Sequence, residues 1–83
     1  MRRASRLIKS GHRAAVNLSG SVRFRDGARL PVTVTSLSQN GCKLQAAGLL
    51  PIGAVVDLDI PGHLPVSASI GWSTLSTAGL RFI

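Results

Sequence analysis

Residues 16–35 read VNLSGSVRFRDGARLPVTVT. Apolar and polar side chains alternate on both sides of the central Asp26-Gly27 pair, which is the pattern of two half-buried strands joined by a tight turn. Asp-Gly is a strong hairpin signal because glycine accepts the positive φ that such turns require. The stretch therefore predicts a β-hairpin, from which an antiparallel sheet extends along the rest of the chain.

The remaining chain repeats this alternation in shorter runs. Trp72 falls on the apolar phase of its run together with Ala68 and Ile70, and we expect it in the core. No helical period extends beyond a few residues, so the sequence predicts an all-β fold, either a small antiparallel barrel or a sandwich. Turn residues separate four further predicted strands, at 42–46, 55–60, 66–72 and 80–82.

Composition bounds the chain to one small globular domain. Its 83 residues are 45% hydrophobic, which is enough for a single modest core. Cys42 is the sole cysteine, so no internal disulfide forms, and we expect a cytoplasmic setting. The longest apolar stretch, residues 46–56, is about half of the ~20 residues needed to cross a bilayer. Membrane insertion is therefore not expected.

Charge is concentrated near the N-terminus. Ten Lys and Arg residues against three acids give a formal charge of +7, which favours anionic partners. We expect residues 1–13 to form a flexible basic arm and residues 14–83 to form the β domain. The other charged side chains, Lys43 and Asp57 among them, are interpreted as surface residues. The arm contains half of the cations, at Arg2, Arg3, Arg6, Lys9 and Arg13.

Residues 36–41, Ser-Leu-Ser-Gln-Asn-Gly, predict a hydroxyl-rich turn that ends in glycine. Such a turn, facing a basic arm, has the groups needed to hold a phosphodiester. We expect Gly41 to supply positive φ or room for a ligand. The alternative interpretation is that Ser36 and Ser38 only cap turn amides and that Gly41 is an ordinary turn glycine.

The order of these elements resembles the PilZ domain family, over about residues 9–82. The resemblance is carried by the basic arm, the hairpin, the Ser-containing turn ending in Gly, Leu49-Leu50-Pro51-Ile52-Gly53, the late Trp72 and the terminal Leu80-Arg81-Phe82. It implies a six-stranded antiparallel β-barrel that acts in bacteria as a receptor for cyclic di-GMP. The family's ligand motifs are Arg-x-x-x-Arg in the arm and Asp/Asn-x-Ser-x-x-Gly after the second strand.

Two positions depart from those motifs. Ser38 and Gly41 match the second motif, while Ser36 stands where Asp or Asn is usual. Arg13 matches the second arginine of the first motif, and Lys9 stands in place of the first. Lysine preserves the charge but lacks the planar fork of arginine, so affinity should fall. The resemblance implies ligand contacts from these five residues, with a minor contribution from Arg6. It also offers an alternative to the core position of Trp72, namely a place near the ligand at the barrel mouth.

The sequence excludes some functions and leaves three open. It contains no recognisable catalytic constellation or metal-ligand cluster, so we expect neither an enzyme nor a cofactor. The favoured function is a cyclic di-GMP receptor that signals to a protein effector. The first alternative is a degenerate PilZ domain that binds no nucleotide and acts as a protein-interaction adaptor. A single-stranded nucleic-acid-binding barrel is disfavoured because the aromatic residues fall on the buried phase.

Overall fold

The computed structural model describes residues 13–83, which form six strands and no helix. The strands close into an antiparallel barrel with the neighbour order β1-β2-β3-β6-β5-β4, which confirms the predicted barrel and excludes the sandwich. Arg6 and Lys9 lie outside the described residues. Among residues 13–83 no helix is long and apolar enough to cross a membrane. The strands are β1 (Arg13–Arg23), β2 (Arg29–Ser38), β3 (Gly41–Ala46), β4 (Val55–Asp59), β5 (Val66–Ser73) and β6 (Thr77–Phe82).

The Asp-Gly hairpin forms as predicted. Gly27 has a φ of 92°, and the Phe24 amide donates to the Ala28 carbonyl over 2.8 Å. The carboxylate of Asp26 accepts from the Ala28 amide over 2.9 Å, which fixes the turn. β1 and β2 then pair from Arg23 opposite Arg29 to the far end of β2.

The core fills the inside of the barrel. Inward and outward residues alternate along each strand of a closed barrel, so the apolar phase of each strand meets the apolar phases of the others. Burying one such Val, Leu or Ile side chain contributes roughly 1.5–3 kcal/mol to folding. The buried apolar residues are Val22, Val32, Val34, Leu37, Cys42, Leu44, Ala46, Leu50, Val56, Leu58, Ile60, Ala68, Ile70, Ala78, Leu80 and Phe82.

A β-bulge in β2 changes which side chains face outward. Val34 pairs with Leu44, but the next paired residue of β2 is Ser36, opposite Lys43. A bulge places two residues opposite one and so inverts the alternation. Leu37 therefore turns into the core at 1% exposure, while Ser36 stays outside and only partly covered. The predicted turn over residues 36–41 is correspondingly shorter, since β2 continues to Ser38 and β3 begins at Gly41.

A second bulge, in β5, corrects the prediction for Trp72. Ile70 pairs with Leu80 and Trp72 pairs with Gly79, so Gly71 is the extra residue. The bulge moves Trp72 from the inner to the outer phase of β5. The Trp72 side chain is 44% exposed, so its expected place in the core was wrong.

Ion pairs join β1 and β2 to β4. Arg23 donates to Asp57 over 2.9 Å, and Arg29 lies 3.5 Å from Asp59. The hydrogen bond from Arg23, followed by one from Ser67, lowers the pKa of the Asp57 carboxyl below its usual range. These residues, interpreted from the sequence as plain surface charges, form what we call the β1–β4 seam: Arg23, Arg29, Asp57 and Asp59.

Candidate ligand-binding site

The outward surface of β2, β3, β6 and β5 carries a row of residues in register. Ser36 of β2 pairs with Lys43 of β3, Lys43 pairs with Gly79 of β6, and Gly79 pairs with Trp72 of β5. The small residues Ser36 and Gly79 form a shallow floor. Lys43 projects from this floor, and Trp72 borders it. We call this surface the cationic face and define it by Arg13, Ser36, Lys43, Trp72, Gly79 and Arg81.

Arg13 is held over this floor by a hydrogen bond. Its Nη1 donates to Ser36 Oγ over 2.9 Å, and its backbone lies opposite Ser38 in the β1–β2 ladder. Both residues are accessible to solvent, so the guanidinium keeps donors free for a ligand. The structure therefore brings Arg13 together with the Ser36 end of the predicted motif.

Ser38 shapes the tight turn between β2 and β3. Its Oγ accepts from the amides of Asn40 and Gly41 over 3.3 and 3.2 Å and donates to the Gly41 carbonyl over 3.2 Å. This is the amide capping that the sequence left open as an alternative for Ser38. A turn held in this way keeps Gly41 fixed relative to the end of β2.

Gly41 is needed for the close approach of two strands and not for a positive φ. Among residues 13–83 the glycines with positive φ are elsewhere, so backbone freedom does not explain Gly41. A Cβ at this position would overlap the Leu80 carbonyl oxygen of β6. Gly41 thus allows β6 to approach β3 closely, with Arg81 opposite Gly41 in the ladder. The expectation of positive φ was wrong.

Two grooves adjoin one another on this surface, each with a volume of about 450 Å³. The first is bordered by Ser36, Lys43 and Trp72, and the second by Ser38, Asn40 and Gly41. Both are lined by Arg13 and by Arg81, so these two arginines stand where the grooves meet. The remaining lining residues are Cys42, Gly71, Gly79, Leu80 and Phe82.

The indole of Trp72 packs against Gly79 of β6 and lines the first groove. A Cβ on Gly79 would overlap Nε1 and Cε2 of the indole. The ring can therefore occupy this position only because residue 79 has no side chain. The Trp72 side chain nevertheless remains 44% exposed. A half-exposed aromatic ring of this kind can stack on a nucleic base.

Charge on the cationic face is not neutralised by the protein. All three acidic residues of the chain are accounted for elsewhere, since Asp57 and Asp59 belong to the seam and Asp26 caps the hairpin turn. Within residues 13–83, Lys43 and Arg81 form no ion pair. Unneutralised cations around a concave surface raise the local concentration of anions.

Sequence reasoning missed Lys43, Gly79 and Arg81 as members of the site. Alternation shows that Arg81 faces outward, because Leu80 and Phe82 on either side are buried. It does not show which strand lies beside β6, and the β3–β6 pairing is what brings Arg81 to the predicted motif. Lys43 was missed for the same reason.

Cys42 lines the first groove. Burial raises the pKa of the Cys42 thiol to about 12, although the charge of Arg13 acts in the opposite direction, so this thiol is a poor nucleophile. Among residues 13–83 there is no cluster of three or more potential metal ligands. The arrangement of free guanidinium groups, hydroxyls and one half-exposed indole suits binding of an anion that carries a planar ring.

Comparison with known proteins assigns the chain to a family. No match was found among the curated proteins. The family model of the PilZ domain matches residues 2–83, essentially the whole chain, and PilZ domains are binding and adaptor domains and not enzymes. The closed six-stranded barrel agrees with that match, and the chain therefore belongs to the PilZ domain family.

Proposed function

We propose that this domain is a receptor for cyclic di-GMP, which is the general role of the PilZ family. The observation that carries the proposal is the hydrogen bond from Arg13 to Ser36, because it joins the last residue of the arm motif to the first residue of the turn motif. The ligand set comprises Arg6, Lys9, Arg13, Ser36, Ser38 and Gly41.

Recognition rests on the two phosphates and the guanine rings of the ligand. Arg13, together with Lys9 and Arg6 of the arm, binds the negatively charged phosphates, and guanidinium is suited to this because it donates two parallel hydrogen bonds. Ligand binding orders the arm over the barrel, and the changed surface then signals to a protein effector. Receptor function in this form requires neither a cofactor nor a metal.

Trp72 supports the proposal from the opposite edge of the groove. Its half-exposed indole lines the same groove as Arg13 and Ser36. Stacking of a base on an aromatic side chain contributes roughly 1–3 kcal/mol to binding. As Trp72 is the sole tryptophan, its fluorescence reports occupation of this groove.

The departures at Ser36 and Lys9 favour a second candidate, a degenerate domain that serves as a protein-interaction adaptor. A serine hydroxyl does not provide the charged acceptor that Asp would offer to guanine. Losing one charge-assisted hydrogen bond costs about 1.5–3 kcal/mol, which is roughly a tenfold to hundredfold loss of affinity. The adaptor needs no nucleotide, so direct titration separates the two candidates.

The test is isothermal titration of the full chain with cyclic di-GMP at physiological salt, with GTP and cyclic di-AMP as controls. We expect selective binding by the wild type and a loss of at least about tenfold in Arg13→Ala. Arg25→Ala is the matched control, because Arg25 lies in the β1–β2 turn and β2 separates it from Ser38 by its full 10 residues, roughly 30 Å. Wild-type affinity in Arg13→Ala would contradict the proposed site, and an absence of heat and of any Trp72 fluorescence change would favour the adaptor.

A further inference from the structure

We infer that Arg81 is a further ligand-binding residue, whose guanidinium holds a phosphate of the dinucleotide from the side opposite Arg13. The inference rests on the proposed function and assigns the second wall of the same site to β6. Neither ligand motif of the sequence includes this position.

Three features of the fold determine the position of Arg81. Leu80 and Phe82 on either side of it are buried, each 4% exposed, so the side chain of Arg81 must project outward. The Phe82 amide donates to the Asn40 carbonyl over 2.8 Å, which attaches the end of β6 to the β2–β3 turn. Arg81 itself pairs with Gly41, where β6 comes close enough that no Cβ fits.

The two arginines stand on opposite sides of a floor of small residues. Arg13 on β1 pairs with Ser38 on β2, Ser38 is hydrogen-bonded to Gly41 on β3, and Gly41 pairs with Arg81 on β6. Neighbouring strands are about 4.8 Å apart, so this path of three strand spacings covers roughly 14 Å. Side chains that extend from both ends of such a path can contact one phosphate lying over the serine and the glycine.

The positive charge of Arg81 is also available to a ligand. Arg23 and Arg29 are each matched to a carboxylate on β4, whereas Arg81 forms no ion pair with any residue of the range 13–83. It lines both grooves, as Arg13 does, so an anion in either groove lies beside it. A second guanidinium fork offsets part of the affinity that Lys9 and Ser36 fail to supply.

The test compares Arg81→Gln, Arg81→Lys and Arg25→Gln by titration with cyclic di-GMP and by Trp72 fluorescence. Arg25→Gln removes the same charge from the distant hairpin turn and is expected to change affinity by about twofold at most, since charges beyond ~8 Å are screened at physiological salt. We expect Arg81→Gln to weaken binding at least about tenfold and Arg81→Lys to lie between these values. Thermal unfolding of each variant is the control for folding.

The outcomes separate this inference from the function on which it rests. If the wild type binds and Arg81→Gln behaves like Arg25→Gln, the inference is wrong and the receptor function stands. If the wild type does not bind cyclic di-GMP but binds the linear guanine dinucleotide in an Arg81-dependent manner, the inference stands and the receptor function is wrong. If the wild type binds neither compound, both are wrong.

Discussion

Arginine side chains lie in different surroundings on the β1–β4 seam and on the cationic face. On the seam, Arg23 lies 2.9 Å from Asp57, and each charge is neutralised by its partner. On the cationic face, Arg13 is bound to a neutral hydroxyl of Ser36, and Arg81 has no carboxylate partner among residues 13–83. One region uses arginine to join strands, and the other presents arginine to solvent over a groove.

This difference shows why net charge does not locate a binding site. The formal charge of +7 treats every arginine as equivalent, although two of them are matched to carboxylates on the seam. A paired surface charge contributes about 0–1 kcal/mol to stability and little to the field around the protein. Unpaired cations beside a concave floor attract an anionic ligand.

The largest effect is expected from Gly41→Ala, which disturbs the floor of the cationic face. The new methyl group would overlap the Leu80 carbonyl oxygen, so β3 and β6 must separate. We expect the free energy of unfolding to fall by about 1–3 kcal/mol, measured by urea denaturation. Gly71→Ala is the control, because a Cβ there comes no closer than 3.6 Å to the Gly79 carbonyl oxygen. Equal stability of the two variants would show that the close approach of β6 does not matter.

A smaller effect on stability is expected from Gly79→Ala, which moves the aromatic edge and leaves every charge in place. The added methyl group overlaps the indole of Trp72, and the half-exposed ring can rotate away into solvent. We expect a red shift in tryptophan emission, a loss of stability of about 1 kcal/mol or less, and weaker binding of cyclic di-GMP. A red-shifted emission together with unchanged affinity would exclude Trp72 from the site.

The smallest effect is expected on the seam, from Asp57→Asn. Exposed ion pairs contribute about 0.2–1 kcal/mol, so we expect a loss in that range at pH 7 and no change in ligand affinity. Since the pKa of Asp57 is lowered by folding, its contribution is complete above about pH 4, the range of an unfolded aspartate, and is lost as pH falls through the lower folded value. Urea denaturation at pH 7 and pH 3 should show the difference between wild type and variant shrinking at the lower pH. A difference that grows at pH 3 would refute this account of the seam.

Much of the fold was accessible from local sequence, because alternation and turn residues act over a few positions. The hairpin around Asp26-Gly27 and the number of strands were predicted correctly. The orientation of Trp72 was not, since it follows a bulge in β5 that inserts one residue without a compositional signal, as does the bulge in β2. A one-residue shift is enough to move a side chain from the core to the surface.

The residues of the candidate site likewise differ in whether local sequence could identify them. Arg13, Ser36, Ser38 and Gly41 were identified through short motifs, and the structure places them near one another. Arg81 was not identified, because its neighbour Gly41 lies 40 positions earlier in the chain and only the β3–β6 pairing brings them together. Contacts between strands distant in sequence leave no local pattern that a reader of the sequence can use.

The buried thiol of Cys42 can report how often the barrel opens. The side chain is 3% exposed, its thiol pKa is about 12, and it is the sole cysteine of the chain, so a thiol-reactive dye has a single target that is concealed in the closed barrel. The rate of labelling therefore measures how often β3 is released from its neighbours. A ligand that binds only the closed form slows that rate by the factor 1 + [L]/Kd. Affinity can thus be obtained from labelling times, with no heat signal and no engineered probe.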